Sequence, residues 1–528
     1  MNTTTTLDKT NAFERFSLPM PQTHPDRLAT IARLFGVDAP NLKNARVLEI
    51  GCANAGNLVA AAFGAPEATF VGIDQSSQSI EKGKKAIKDA GLKNLELHVS
   101  ETLEVPAELG KFDYIIIHGI FSWVSKETQN KLLASINERL TPNGIAYISY
   151  NTYPGWHFRG MIRDMMLYHA GNIENNVMKV GQARALLDFL AQSVPTENNA
   201  YGLLLRNELA FLSAQPDSYL LQDIMAEKNE PFYFHQFIER ATTHGLQYLG
   251  ESEFSTMLTS NFPQTVHETL RRISNEIVRT EQYMDFVRNR TFRQTLLVKS
   301  DVQINRNINF ASVQKMLIAS PLRPVNAEMN VQSNQPEVFR APNGLEITTQ
   351  HPLIKGAFLH MSQIWPQSIS FDELLSNAIT RVSTDPVVSG SADIEMQKQL
   401  LGADLLTAYA ANLVIFRTEA APFVTKISER PKASELARMQ APTQNFVTNQ
   451  FNEPIAIDAF AVALLGILNG KRDHVQILDE LVEMVRKGQL NVQKDGKPIA
   501  DNATLRQTLQ PFMDECLDKM AKAAVLVG

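Results

Sequence analysis

The sequence predicts an α/β fold, an open parallel sheet with helical insertions followed by smaller α+β modules, and three observations carry that expectation. The first third of the chain alternates short apolar runs with helical patterns. The central apolar runs lack the alternation of a strand with one wet face, so the sheet is covered on both sides. One such run enters a loop of tiny side chains, Val47-Leu-Glu-Ile-Gly-Cys-Ala-Asn-Ala-Gly-Asn57, and then an apolar helix, the layout of a ligand loop at the rim of an α/β sheet.

Taken in order, Pro25 opens a helix over 26–35, since proline suits a first helical turn. Strands are expected at 45–50, 69–74, 95–100, 114–119 and 145–150, with helices at 57–63, 77–90 and 126–140. Right-handed crossovers put all the strands' carboxyl ends on one edge, so Gly51, Asp74, Glu101, His118, Tyr150 and Asn151 face one crevice. Long helical stretches run from about 158 to 227, then a helix at 232–244 and strands at 245–251 and 292–299. Residues 1–300 therefore read as one domain with a helical insertion at about 158–230. The polar stretch 301–338, with Pro321, Pro324 and Pro336, reads as a linker. Beyond it, Pro342-Asn343-Gly344 marks a hairpin. Helices at 351–365, 371–382 and 396–412 and strands at 413–417 and 423–427 complete a winged-helix-like domain over 339–430. Residues 431–528 read as mostly helical, with a second hairpin near Asp495-Gly496.

Composition narrows the function classes. The chain has 528 residues, 44% hydrophobic and 20% charged, with a net charge of −6; nothing pulls it globally toward nucleic acid, and none is expected as a partner. Cys52 and Cys516 are its only cysteines, which excludes a disulfide scaffold and suits the cytoplasm. No secretory pattern opens the chain, and the longest apolar run, 459–468, is too short to span a bilayer. The basic residues Arg288, Arg290, Arg293 and Lys299 are expected on solvated surfaces.

The glycine loop gains meaning from Asp74, 23 residues beyond Gly51, where a carboxylate can accept hydrogen bonds from both ribose hydroxyls of an adenosyl ligand. Glu49, two residues before Gly51, would repel a pyrophosphate but favours the amino group and sulfonium of S-adenosylmethionine. Acid, glycine, small loop and distal acid together resemble the first motif of the class I methyltransferases, with its Rossmann-like sheet. The cofactor-binding candidates are His24, Glu49, Gly51, Cys52, Asn57, Asp74, Gln75, Glu101 and His118. His24 either closes over the cofactor or caps the first helix.

Several separated stretches carry a further resemblance: Pro21-Gln-Thr-His-Pro-Asp-Arg-Leu-Ala29, Val47 to Asn57, His118-Gly-Ile-Phe-Ser-Trp-Val124, Ser149-Tyr-Asn-Thr-Tyr-Pro-Gly-Trp156, Pro231-Phe-Tyr-Phe-His235 and Arg288-Asn-Arg-Thr-Phe-Arg-Gln-Thr-Leu-Leu297. Together they resemble bacterial methyltransferases with a methyltransferase regulatory domain, the group of the rickettsial enzymes that methylate lysines of an outer membrane protein. The resemblance implies S-adenosylmethionine as cofactor and lysine side chains of a protein as acceptor. Methylation of a small molecule, or a scaffold without turnover, are the alternatives. Where that family's loop carries glycines, this chain has Ala53 and Ala55, tolerable if both keep negative φ. Gln222-Asp223 stand where the family has His-Glu.

Methyl transfer is an in-line displacement that needs alignment and exclusion of water, and no metal is expected. A lysine acceptor with pKa roughly 10.4 is neutral in only about one molecule in a few thousand at pH 7, a deficit of about 4–5 kcal/mol that the site must supply. The catalytic candidates are His118, Tyr150, Asn151, Tyr153 and Trp156, with His157 beside them, since aromatic faces can cradle an ammonium. An aromatic beside a strand end is more often there for packing than for catalysis. For the carboxyl-terminal modules a protein-contact or homodimer role is expected.

Overall fold

The computed structural model describes residues 17–382, 391–494, 497–499 and 501–528. Its centre is a seven-stranded sheet of β1 (Arg46–Ile50), β2 (Thr69–Asp74), β3 (Leu95–Val99), β4 (Phe112–Ile117), β5 (Leu140–Asn151), β6 (Leu246–Glu251) and β7 (Phe292–Lys299). The order is β3-β2-β1-β4-β5-β7-β6, with β7 antiparallel to both neighbours and the first five strands parallel. β1 pairs on both sides, and Val47, Leu48 and Ile50 are buried, which accounts for the absence of polar alternation in that run.

Helices cover both faces, and their ends follow local chemistry. α1 (Pro25–Leu34) starts on proline and is capped by His24, whose ring nitrogen accepts from the Asp26 amide. α2 (Gly56–Gly64) follows the loop, α3 (Ser77–Asp89) is capped by Ser76 and α4 (Lys126–Arg139) by Ser125. After β5 come α5 (Gly155–Ala170), α6 (Asn176–Ser193), α7 (Ala200–Ser213) and the single turn α8 (Asp217–Tyr219), which have a hydrophobic core of their own around Trp156, Met166, Leu187 and Leu205. α9 (Phe234–Thr243), α10 (Gln264–Ile273) and α11 (Ile277–Arg288) complete this half.

The stretch 301–338, expected as a linker, is built into the fold. Within it β8 (Leu317–Ala319) is the middle strand of a small antiparallel sheet, between β12 (Ile369–Ser370) and β13 (Ile415–Arg417). β9 (Arg323–Pro324) edges the hairpin of β10 (Glu337–Arg340) and β11 (Glu346–Thr349). Val313, Met316, Ile318 and Leu322 are buried in the same hydrophobic core as the large sheet. Their spacing among polar residues and prolines hid them from a periodicity reading. α12 (Pro352–Ile364), α13 (Phe371–Val382) and α14 (Ser391–Ala410) pack alongside. No strand forms at 423–427; Phe423 packs edge-on against Phe451 instead.

A separate core belongs to α15 (Glu435–Gln440), the hairpin β14 (Phe446–Thr448) and β15 (Pro454–Ala456), α16 (Ala459–Ile467), α17 (His474–Arg486) and α18 (Asn502–Lys522). β16 (Gln493–Lys494) pairs with β17 (Lys497–Pro498), while the expected turn at Asp495-Gly496 lies outside the described residues. Among the described residues no helix is long and apolar enough to cross a membrane.

Two of the four basic residues, Arg290 and Arg293, are not on a solvated surface, whereas Arg288 and Lys299 keep partial exposure. Arg293 is fully buried on β7 and reaches Glu251, Glu281 and Asp285 at 2.8–3.0 Å, with its guanidinium 3.7 Å from the centre of the Phe234 ring. Arg290 joins the same cluster through Glu251 at 2.9 Å. A strand that alternates basic and apolar residues can face a buried acidic cluster as easily as water, and only the third dimension decides between them.

Candidate cofactor site

At the carboxyl edge of β1 the chain turns sharply at Gly51, φ +80°. A Cβ there would lie 2.4 Å from the Ile120 side chain, so the turn requires glycine. The Gly51 and Cys52 amides both donate to the Ile73 carbonyl, at 2.7 and 3.1 Å, and pin the loop to the end of β2. Asp74 completes the bend: one carboxylate oxygen accepts from the Ala53 amide and the other from the Ser76 amide, each at 2.8 Å. Each oxygen keeps a further lone pair for a ribose hydroxyl.

The loop's underside is tied to distant segments. Asn57 is buried; its Nδ2 donates to Thr23 Oγ1 at 2.9 Å and to Glu49, and its Oδ1 accepts from the Met20 amide and from Asn452 Nδ2, at 2.9 and 3.2 Å. Gly56 lies directly under the carbonyl of Ser17, with no room for a Cβ. Burial pushes the Glu49 carboxyl up to about 8 against the Asn57 hydrogen bond, which favours the charged form; Asp74 adds to the rise. Burial thus holds Glu49 toward its protonated form in the folded chain.

Above the loop is a cavity of about 510 Å³. Gly51, Ala53, Asp74 and Gln75 form its floor, and Ile120, Trp123 and Val124 a wall. Across from them, Gln222 and the 226–228 segment of the helical insertion close the other side. That segment is braced by Trp123 Nε1, which donates to the Asp223 carbonyl at 3.3 Å, and by Arg163, which donates to the carbonyls of Ala226 and Glu227. A cavity of this size with a carboxylate floor and an apolar wall fits a nucleoside.

A methyltransferase-domain family matches residues 41–202, a predicted methyltransferase regulatory domain residues 216–299 and the PKMT C-terminal winged helix domain residues 429–525. PKMT2 from Rickettsia typhi superposes over 98% of this chain and 100% of its own with a TM-score of 0.85 at 32% identity. Its complex with AdoHcy gives 0.87 over the same shares at the same identity. The uncharacterized protein RP789 of Rickettsia prowazekii (strain Madrid E) is 36% identical over 519 residues, 97% of this chain and 92% of that protein. The chain belongs to the methyltransferase family of PKMT2. It is an S-adenosylmethionine-dependent methyltransferase with a class I fold and a C-terminal winged helix domain. The winged-helix match falls on the segment expected to be mostly helical, which carries the β14–β15 hairpin that the sequence reading missed.

Within this methyltransferase, Gly51, Asp74 and Gln75 line the cavity. Glu49, Cys52 and Asn57 lie beneath the loop, buried, and support it; burial, with Glu49 and Asp74 nearby, raises the Cys52 thiol. Glu101 is exposed and contributes its carbonyl, which accepts from Gln75 Nε2 at 2.6 Å, and its side chain does not line the cavity. His24 serves as the cap of α1. His118 sits at the end of β4, bonded to Tyr147 at 3.0 Å and edge-on to Phe292. Tyr150 is a correction: fully buried, stacked on Phe237 at 4.0 Å and bonded to Thr295, it cannot meet a substrate. Asn151 is buried too, its side chain donating to Asn229. Side chains alternate along β5, so its apolar run points Tyr150 into the helix layer. Trp156 belongs to the insertion's core. Tyr153 stacks on His157 at 4.0 Å, and His157 meets the Tyr233 hydroxyl at 3.0 Å.

The sequence reading did not select Ile120, Trp123 and Val124 as site residues, although they lie inside the 118–124 stretch that carried the family resemblance. The 226–228 wall had no local signal, because it is brought in by the insertion.

The alanines overturn one expectation. Ala53 and Ala55 have φ of 49° and 62°, both in the left-handed region. The strain costs about 1–2 kcal/mol per residue. Glycine would relieve it but would lose a buried methyl worth about 0.8 kcal/mol and about 0.4–1 kcal/mol of chain entropy. Ala53→Gly and Ala55→Gly are therefore expected to change stability by less than about 1 kcal/mol each, as thermal denaturation would measure.

Glu49 gives a pH prediction. Its folded pKa lies above its unfolded value, so its contribution to stability is fully present below the unfolded value near 4.5 and is lost as pH rises through about 8. Glu49→Gln, which cannot ionise, should gain on the wild type by at least about 1 kcal/mol between pH 5 and pH 8 in paired denaturation curves.

Proposed function

We propose that this methyltransferase transfers methyl groups to lysine side chains of a protein, an outer membrane protein being the candidate class. The carrying observation is similarity along the whole chain to PKMT2, including the PKMT winged helix domain, a breadth that the catalytic fold alone would not require. In this reading Gly51, Asp74 and Gln75 hold the adenosyl part. Residues 1–300 form the catalytic unit, with the insertion at about 158–230 shaping access.

The cofactor supplies an electrophilic methyl group on a cationic sulfur. The chain supplies position and a proton path. Ile120, Trp123 and Val124 give the cavity an apolar wall beside the loop, and desolvation against such a wall lowers a lysine's pKa. His118, half-buried at the same edge and oriented by the Tyr147 hydroxyl, is the group proposed to take up the ammonium proton.

The test is incubation of the purified chain with methyl-labelled S-adenosylmethionine and cell-envelope protein fractions, followed by peptide mapping. Label on lysine residues is the expected result. Label confined to small molecules would overturn the lysine reading and leave the cofactor reading standing.

A further inference from the structure

A second cavity, a groove of about 850 Å³, opens along α5 where it leaves the end of β5. The two cavities share that helix: Arg163 braces the 226–228 wall of the cofactor cavity, while its neighbour Asp164 lines the groove. The groove is walled by Tyr153, Trp156, Tyr168 and Tyr201, with Met161 and Met165 between them. Tyr168 is 94% exposed, so its ring stands open to solvent at the groove.

Charge decides what the groove suits. Among the described lining residues Asp164 is the only Asp, Glu, Lys or Arg; its carboxylate is ion-paired with Arg163 at 3.5 Å, yet it stays 78% exposed while Arg163 is 14% exposed. From residue 153 to 230 the chain carries six basic and nine acidic side chains, half of the whole protein's net −6. Aromatic faces and a carboxylate attract an alkylammonium, and methionine and leucine suit its methylene stem. A purely apolar segment would use the rings but would cover the exposed side of the carboxylate without offering it a cation.

We infer that this groove is an auxiliary binding site for lysine side chains of the polypeptide substrate, separate from the site of methyl transfer. The inference rests on the protein-lysine reading and deepens it. One lysine held here tethers the polypeptide and raises the local concentration of its other lysines at the transfer site.

The probe is an unstructured 24-residue peptide of glycine, serine and leucine carrying four lysines, titrated calorimetrically into the full chain saturated with S-adenosylhomocysteine. Asp164→Asn combined with Tyr168→Ala should weaken peptide binding about tenfold, leaving the S-adenosylhomocysteine affinity and thermal midpoint unchanged; both side chains are exposed, so the fold does not depend on them. The same peptide with glutamine in place of all four lysines should bind the wild type at least tenfold more weakly. The proposal is overturned if the variant binds the lysine peptide as tightly as the wild type, or if the glutamine peptide matches the lysine peptide. Methyl transfer to the peptide from S-adenosylmethionine, read in parallel, separates the two claims: transfer with groove-dependent binding supports both, and transfer without groove-dependent binding keeps the lysine reading and overturns the auxiliary site.

Discussion

Asp74→Ala is expected to weaken binding of S-adenosylhomocysteine roughly 30- to 1,000-fold in a calorimetric titration, the equivalent of about 2–4 kcal/mol. Two losses combine. The ribose loses a carboxylate able to accept from both hydroxyls, and hydrogen bonds to a charged acceptor are the stronger kind. The loop loses its anchor, because the same carboxylate holds the Ala53 amide at 2.8 Å in a left-handed conformation that alanine does not favour. Asp74→Asn keeps one acceptor oxygen and should fall between the two. An unchanged dissociation constant in Asp74→Ala would remove the basis for placing the adenosyl group at this edge.

Arg293→Met is expected to destabilise the fold by about 3–5 kcal/mol, measured as a lowered denaturation midpoint of the first unfolding transition. The guanidinium is fully buried and binds Asp285 through two nitrogens, at 2.8 Å each, as well as Glu251 and Glu281. Burial drives the carboxyls of Glu281 and Asp285 upward, whereas Glu251, against the same burial, is held below its ordinary value by Arg293 and Arg290. Removing Arg293 leaves three buried acids with Arg290 as their remaining ion-pair partner, and Arg288 and Arg306 farther off. The cluster ties β6 and β7 to α11, and Glu251 also accepts from Thr295, the partner of the Tyr150 hydroxyl. A loss below about 1 kcal/mol would mean that the acids take up protons at little cost.

How much of this was legible in the sequence depended on how local the signal was. The parallel strands were visible because burial on both faces leaves continuous apolar runs, and Gly51 and Asp74 because a tight bend and its distal acid sit at fixed strand ends. Tyr150 was misplaced because strand ends were read without assigning faces. The buried state of Arg293 was hidden because its three acids lie on other elements, β6 and α11, and only the fold brings them against β7. β8 was hidden because a three-residue strand shortly before Pro321 has no period to detect.

The hydrogen bond from Asn452 to Asn57 spans 395 positions of the chain. During synthesis, residue 57 leaves the ribosome long before its partner exists. At about 5–20 residues per second, roughly 20–80 seconds pass before the donor can arrive. The cofactor loop of a nascent chain thus waits for nearly the whole polypeptide before its last internal contact can close.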